Sequence, residues 1–198
     1  MTTITILGNG ESRQQIDPAK LTGTIIGCNA IVRDLAVDHL ICVDRKMVTE
    51  ALGFRHPCIY TRADWSNSFK GVKTVPNLPY FGTERYDDPF HWGSGPYAVL
   101  LGCILAGTVH LVGFDLYSTT KHINNAYKGT KNYNKEDHRA IDPRYWIAQL
   151  ERLFTHYSNH TFVIHQPVGW KLPDSWKKPN VSLDNSLFIK YNESIKET

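Results

Sequence analysis

No apolar run in this 198-residue chain is long enough to cross a membrane. The longest candidate, Tyr97 to Val112, is interrupted by Gly102 and Gly107 and carries His110 inside it. No secretory leader pattern opens the sequence, and cysteine is sparse: Cys28, Cys42, Cys58 and Cys103 lie far apart, with no C-x-x-C pair. The expectation is of buried thiols in a cytoplasmic protein rather than a disulfide scaffold. Metal-binding spacing such as H-E-x-x-H is missing too, despite nine histidines. His91, His110, His122, His138, His156, His160 and His165 are too dispersed to form a cluster, so no metal ligand is assigned. Excess charge of one sign is equally scarce. The formal net charge is +3, with one basic concentration between Lys121 and Arg139, which argues against a large nucleic-acid face. Neither G-x-x-x-x-G-K-[ST] nor G-x-S-x-G occurs, which argues against P-loop and serine-hydrolase chemistry.

What is present reads as one ordinary globular domain, 41% apolar and 21% charged. Strand-like runs recur at Thr3–Leu7, Gly23–Cys28, His39–Val43, Cys58–Thr61, Val109–Val112 and Thr161–His165. Helical patterns lie between them: Arg45–Leu52, the nearly all-apolar Pro96–Ala106, and the amphipathic Pro143–Tyr157 with Asp142 as N-cap. This alternation predicts an α/β, Rossmann-like fold with a mostly parallel sheet and helices on both faces. Two stretches break the rhythm. Residues 64–95 are aromatic and turn-rich, with no clear strand. Residues 118–138 are polar, basic and rich in Asn, which predicts a lid-like insertion. The domain is taken as 1–166, with 167–198 as a tail that wraps it or meets another subunit, leaving a homo-oligomer open.

Parallel sheets bind ligands beyond the carboxyl ends of their strands, so residues just past strand ends are the candidates. After the first strand comes Gly8-Asn9-Gly10-Glu11-Ser12-Arg13, where two glycines let backbone approach a ligand and offer N–H groups to an anion. The third glycine of the dinucleotide fingerprint is replaced by Arg13, which points away from NAD. A tight turn explains Gly-Asn-Gly equally simply. Asn29 and Asp44 follow the second and third strands. Gly93-Ser94-Gly95-Pro96 precedes the apolar helix, with Ser94 as its expected cap and a second anion or ribose site at its N-terminus. Asp115 either accepts from a ribose hydroxyl or fixes its loop, and Tyr117 is a donor toward developing phosphate charge or a packing residue. His138, following the lid, is the histidine best placed for general-base work.

In order, I-L-G-N-G-E-S (6–12), G-C-N (27–29), G-S-G-P-Y (93–97) and H-L-V-G-F-D-L-Y (110–117) resemble the bacterial sialyltransferases of glycosyltransferase family 42. They also resemble the wider set of Rossmann-like G-N-G-P-S proteins of phage and bacteria, which includes an archaeal pterin pyrophosphokinase group. The similarity is remote and spans roughly residues 3–162. It implies that Asn9, Gly10, Ser12, Asn29, Ser94 and Gly95 hold the CMP part of a donor, with Gly8 in the same turn. Asp115 and Tyr117 match the family's G-I-D-F-Y, the tyrosine supporting the leaving phosphate, and His138 matches its catalytic base. The implied activity is inverting transfer from a CMP-sugar to a hydroxyl acceptor such as a glycan. This chain departs from the pattern at Glu11 (Pro in the family), at Asp44 (Asn) and at Ile123, where a second tyrosine is expected and Tyr127 is the substitute. It is also shorter than those enzymes. A rival reading is a Mg²⁺-dependent pyrophosphokinase-like transferase using Asp44, Asp64 and Asp115. A third is a non-catalytic nucleotide- or glycan-binding module.

Overall fold

The computed structural model describes residues 2–188. Its framework is one sheet of eight strands: β1 (Thr3–Leu7), β2 (Thr24–Cys28), β3 (His39–Ile41), β4 (Ile59–Thr61), β5 (Lys73–Thr74), β6 (Thr108–Val112), β7 (Thr161–His165) and β8 (Val181–Asp184). They lie in the order β5-β4-β3-β2-β1-β6-β7-β8, and every neighbouring pair is parallel. Central strands covered on both faces have little use for polar residues, which is why β1 reads Thr-Ile-Thr-Ile-Leu with its last four residues buried.

Among the described residues four α-helices complete the layers: α1 (Arg45–Gly53), α2 (Ala63–Ser66), α3 (Ser94–Leu105) and α4 (Arg144–His156). Helix α3 lies across β1, β2, β3 and β6, and α4 packs on α3. Pro96 through Cys103 are all buried, which accounts for a sequence with no polar face. Gly102 is needed for this contact, since a Cβ there would come within 2.9 Å of Ile6 Cδ1. By contrast, α4 buries one stripe, Gln149, Leu150, Leu153 and Phe154. On the opposite face α1 places Met47, Val48 and Ala51 in a second core with Leu7, Ile31, Leu40 and Val112. Each fully buried aliphatic side chain contributes about 1.5–3 kcal/mol of transfer free energy. No helix among the described residues is long and apolar enough to cross a membrane.

The stretch from residue 167 supplies both an edge strand and core. β8 pairs with β7 from Phe162↔Val181 to His165↔Asp184. Trp176 is fully buried, edge-on to Phe154 at 5.2 Å, and its Nε1–H donates to Ile147 O at 2.9 Å. The insertion at 118–138 carries no helix or ladder strand. Its ends are joined by an isolated antiparallel bridge, His122↔Arg139, with Ile123 N donating to His138 O and Ala140 N to Lys121 O. The chain thus winds outward from β1 to β5, crosses back through α3, and winds outward again from β6 to β8. Beyond the carboxyl ends of β1, β2, β3 and β6, next to this reversal, the strand-end loops and the start of α3 enclose a crevice.

Candidate functional site

A cavity of about 360 Å³ occupies that crevice. Gly8, Asn9 and Gly10 line it from β1, Asn29 from β2, Asp44 from beyond β3, and Gly113 to Leu116 from β6. Gly93 to Pro96, at the start of α3, form another wall, and Ile123 to Asn125 with Asn132 to Asn134 come from the insertion. The glycine turns at 8–10 and 93–95 therefore meet at one rim. A volume of this size is in the range of small-ligand sites.

The first turn is tight for a reason other than free N–H groups. Gly8 N donates to Val112 O at 2.8 Å, Gly10 N to Gly113 O at 2.9 Å, Glu11 N to Asn124 Oδ1 at 2.8 Å and Ser12 N to Asp115 Oδ2 at 2.9 Å. A Cβ on Gly8 would lie 2.5 Å from Gly113 O, and one on Gly10 would run into the Asp115 carboxylate. Only the Asn9 N–H of residues 8–12 has no acceptor among the described residues. Glu11, whose charge stood against an anionic ligand, is paired with Lys128 Nζ of the insertion at 2.5 Å.

Anion-binding capacity lies instead at α3. The N–H groups of Ser94 and Gly95 have no acceptor among the described residues, and Pro96 has no N–H to leave over. The positive end of the helix dipole thus faces the cavity. Ser94 does not cap the helix as expected; the helix begins at Ser94 and Gly93 is the N-cap, because the serine hydroxyl is used elsewhere. It accepts from Val43 N at 3.2 Å and donates to Asn29 Oδ1 at 2.8 Å. With its oxygen so engaged, Asn29 keeps its Nδ2 free of partners among the described residues. Asn29 sits at φ 52°, in the left-handed region. Of the four described non-glycine residues with positive φ, three line this cavity: Asn29, Leu116 and Asn132. Backbone strain gathers where a site must hold an unfavourable geometry.

Asp115 is 7% exposed and holds the loop. Its carboxylate accepts from Ser12 N, from Ser12 Oγ and, at 3.4 Å, from Gln166 Nε2. Ser12 is therefore not free to hold a ligand; it is buried behind Asp115 and does not line the cavity.

Three residues expected to carry chemistry lie off the cavity wall. Tyr127 is 4% exposed in the core across the sheet from α3; its hydroxyl accepts from Arg13 Nη2 at 2.8 Å and donates to Asp34 Oδ2 at 2.7 Å. That bonding, not a ligand, explains a tyrosine within the insertion. Tyr117 stands half-exposed beside the Trp170 ring at 6.3 Å, and burial, with Asp174 adding to it, raises its pKa and keeps it a phenol. His138 is exposed on the stem of the insertion, with Nδ1 at 2.8 Å from Arg139 O. A carbonyl can only accept, so Nδ1 carries a proton, and in the neutral ring the lone pair is on Nε2.

The carboxylates of the rival magnesium reading do not converge. Asp64 is paired with Arg62 at 2.9 Å on the wall of a separate cavity, Asp115 is tied to Ser12, and Asp44 is exposed at the rim. No group of three or more His, Cys, Asp or Glu side chains suited to a metal ion occurs among the described residues.

The sequence reading did not anticipate how much of the wall the insertion supplies. Six asparagines line the cavity, at 9, 29, 124, 125, 132 and 134. The density of Asn in the insertion was the available signal. Tyr133 joins them, accepting from Asn9 Nδ2 at 3.2 Å, with burial raising its pKa. Lys46, also lining the cavity, donates one ammonium N–H to Asn132 O at 2.6 Å.

The chain is similar to the monofunctional α-2,3-sialyltransferase Cst-I of Campylobacter jejuni, with a TM-score of 0.58 and 16% identity over 100% of this chain and 87% of that one. It is similar also to the sialyltransferase CstII of the same organism, solved with the substrate analogue cytidine-5'-monophosphate, with a TM-score of 0.57 and 17% identity over 96% of this chain and 88% of the other. No protein-family model and no curated protein sequence matches it. The expected resemblance thus holds in the fold: an α/β, Rossmann-like parallel sheet of the kind seen in these sialyltransferases.

Proposed function

We propose that the cavity at the β1/β6 reversal binds the nucleotide part of a CMP-sugar type donor, and that the protein transfers the sugar to a hydroxyl acceptor. The observation that carries this reading is the meeting of the Gly8–Gly10 and Gly93–Gly95 turns in one cavity lined by amides. Its charge supports a monophosphate link over a diphosphate. The cavity offers the α3 N-terminus, equivalent to roughly half a unit charge, and a few neutral N–H groups. Lys46, the one lysine on the wall, adds a single cation, and a diphosphate would bring charge that such sites meet with metal ions or several cations. The asparagine amides suit the hydrogen-bonding edge of a base and sugar hydroxyls. The likeness in fold to a sialyltransferase solved with CMP points the same way.

For catalysis, His138 Nε2, outside the donor cavity, is the base that takes the acceptor proton, and the loss of CMP is eased by the Ser94 and Gly95 N–H groups on the cavity wall. Thermal unfolding with CMP, UMP, GMP and NAD, each with and without Mg²⁺, tests the reading. At a hundredfold excess over Kd, CMP stabilises by about 2.7 kcal/mol, which for a domain of this size is a Tm rise of roughly 5–10 °C. The rise persists without Mg²⁺ and in His138→Ala, whereas transfer is lost in that variant. A rise with NAD or GMP alone, or one that needs Mg²⁺, refutes it.

A further inference from the structure

Away from the cavity, at the start of the strands rather than their ends, four reactive side chains meet on one surface. His39 opens β3, Cys58 immediately precedes β4, Tyr60 lies within β4, and Lys73 opens β5. Pairing of Leu40 with Ile59 and of Tyr60 with Lys73 brings them together across three parallel strands. Cys58 Sγ lies 3.2 Å from His39 Nδ1 and 3.4 Å from Lys73 Nζ, and Tyr60 Oη is 3.4 Å from the same His39 nitrogen. Lys73 Nζ also sits 5.3 Å from the centre of the Tyr60 ring. No carboxylate pairs with Lys73 among the described residues, so its ammonium faces sulfur and a ring.

These contacts give a cysteine what a nucleophile requires: a base for its proton and a cation for its thiolate. Burial lowers the His39 pKa, with Lys73 and His56 adding to that and Asp38 opposing, so the imidazole is neutral near pH 7 and can accept. The fixed charge therefore comes from Lys73. His56 is engaged elsewhere, its Nδ1 accepting from Cys58 N and its other nitrogen bonded to Val37 O. Cys58 is partly exposed, whereas Cys28, Cys42 and Cys103 are buried and burial pushes their thiols up, Cys28 to about 12.

We propose that Cys58 is a thiol–disulfide modification site, activated by His39 and Lys73, whose co-reactant is a small-molecule disulfide. The thiol proton passes to His39 Nδ1, and the thiolate sulfur attacks one sulfur of the disulfide RS–SR. The S–S bond breaks, and the departing RS⁻ takes the proton back from His39 as RSH. The product is a mixed disulfide at Cys58, and a second thiol reverses it. This assignment is independent of the nucleotide reading.

Glutathione disulfide and an aromatic disulfide reagent test it on the full-length folded protein. At about pH 7 one thiol per chain reacts, at least about tenfold faster than free glutathione thiol under the same conditions. Mass spectrometry places the adduct on Cys58, and Cys58→Ser removes the fast phase. His39→Gln and Lys73→Met each slow the reaction severalfold at about pH 7, and the deficit shrinks near pH 9.5, where an ordinary thiol ionises unaided. A wild-type rate no faster than that of glutathione overturns the proposal without recourse to any variant. So does labelling at another cysteine, or a rate in folded Lys73→Met equal to wild type.

Discussion

Replacing Ser94 with Ala tests the link between the fold and the proposed donor site. The side chain is 5% exposed, and its oxygen ties β3's exit to β2's exit by accepting from Val43 N and donating to Asn29 Oδ1. Removing the oxygen leaves the N–H of Val43, itself 6% exposed, with nothing to bond, at about 1–3 kcal/mol for a buried unsatisfied donor. Asn29 lines the cavity and its amide can turn to water, so the loss of its partner adds little. The expected destabilisation is about 2 kcal/mol, a Tm fall of roughly 4–8 °C for a domain of this size. It is read by urea unfolding followed by circular dichroism. Affinity for CMP should fall about tenfold as well, because Asn29 loses the bond that fixes its amide. Asn29→Gly separates the two effects. Glycine relaxes the left-handed backbone at φ 52°, so stability stays within about 1 kcal/mol of wild type while nucleotide affinity still drops. A Ser94→Ala protein within about 0.5 kcal/mol of wild type would mean that the hydroxyl bridges nothing of consequence, and the site's construction would have to be rethought.

Acid should destabilise the domain through its histidine pair. His165 bonds His110 at 2.8 Å, and burial, reinforced by His110, lowers its pKa to about 4 despite Asp184 at 3.5 Å. The unfolded chain takes up this proton near pH 6.5, so the contribution is whole above that pH and is lost progressively as pH falls toward about 4. The loss amounts to about 3 kcal/mol; urea midpoints across that window should fall less steeply for His165→Gln, and equal slopes refute the assignment. The buried Arg13 makes a different prediction. Its guanidinium is 6% exposed and meets Asp34 at 3.2 Å, whereas the Asp34 side chain is 46% exposed. Asp34→Asn, which leaves a buried cation without a countercharge, should therefore cost about 3 kcal/mol, more than Arg13→Met, which leaves a carboxylate that water can reach. Chemical denaturation of both variants decides it, and the reverse order overturns the argument.

The elements easiest to read in the sequence were those whose burial is uniform. β1 and β7 were expected within the observed bounds, and α3 was evident because a helix covered on most sides tolerates no polar face. β5 has two exposed residues and no hydrophobic signature, so nothing marked it. β8 was missed for a related reason: Val-Ser-Leu-Asp on a sheet edge has both middle residues exposed, and its place is set by backbone pairing to β7. The candidate site was legible as positions past strand ends, because topology alone brings those positions to one rim. Which side chains face inward was not. Ser12 and Tyr127 carry plausible donor groups, yet each is held by charged partners, the buried Asp115 for one and the buried Arg13 with Asp34 for the other. Such partners lie about a hundred residues away in sequence.

The Gly8-Asn9-Gly10 turn shows how a motif can mark the right place for the wrong reason. A glycine-rich turn after a first strand suggests donors released for an anion, yet neither glycine has positive φ, and both N–H groups are bonded to the backbone leaving β6. The space a Cβ would occupy is filled by Gly113 O at one position and by the Asp115 carboxylate at the other. These glycines therefore hold the exits of β1 and β6 close enough for Asp115 to reach Ser12, and they build the crevice rather than furnish it. The N–H groups left open belong to the first turn of α3, and of the motif's residues only Asn9 keeps a backbone N–H without an acceptor among the described residues. Gly8→Ala should accordingly act on folding, through the clash with Gly113 O, whereas substitution at Asn9 should act on ligand affinity with the sheet intact.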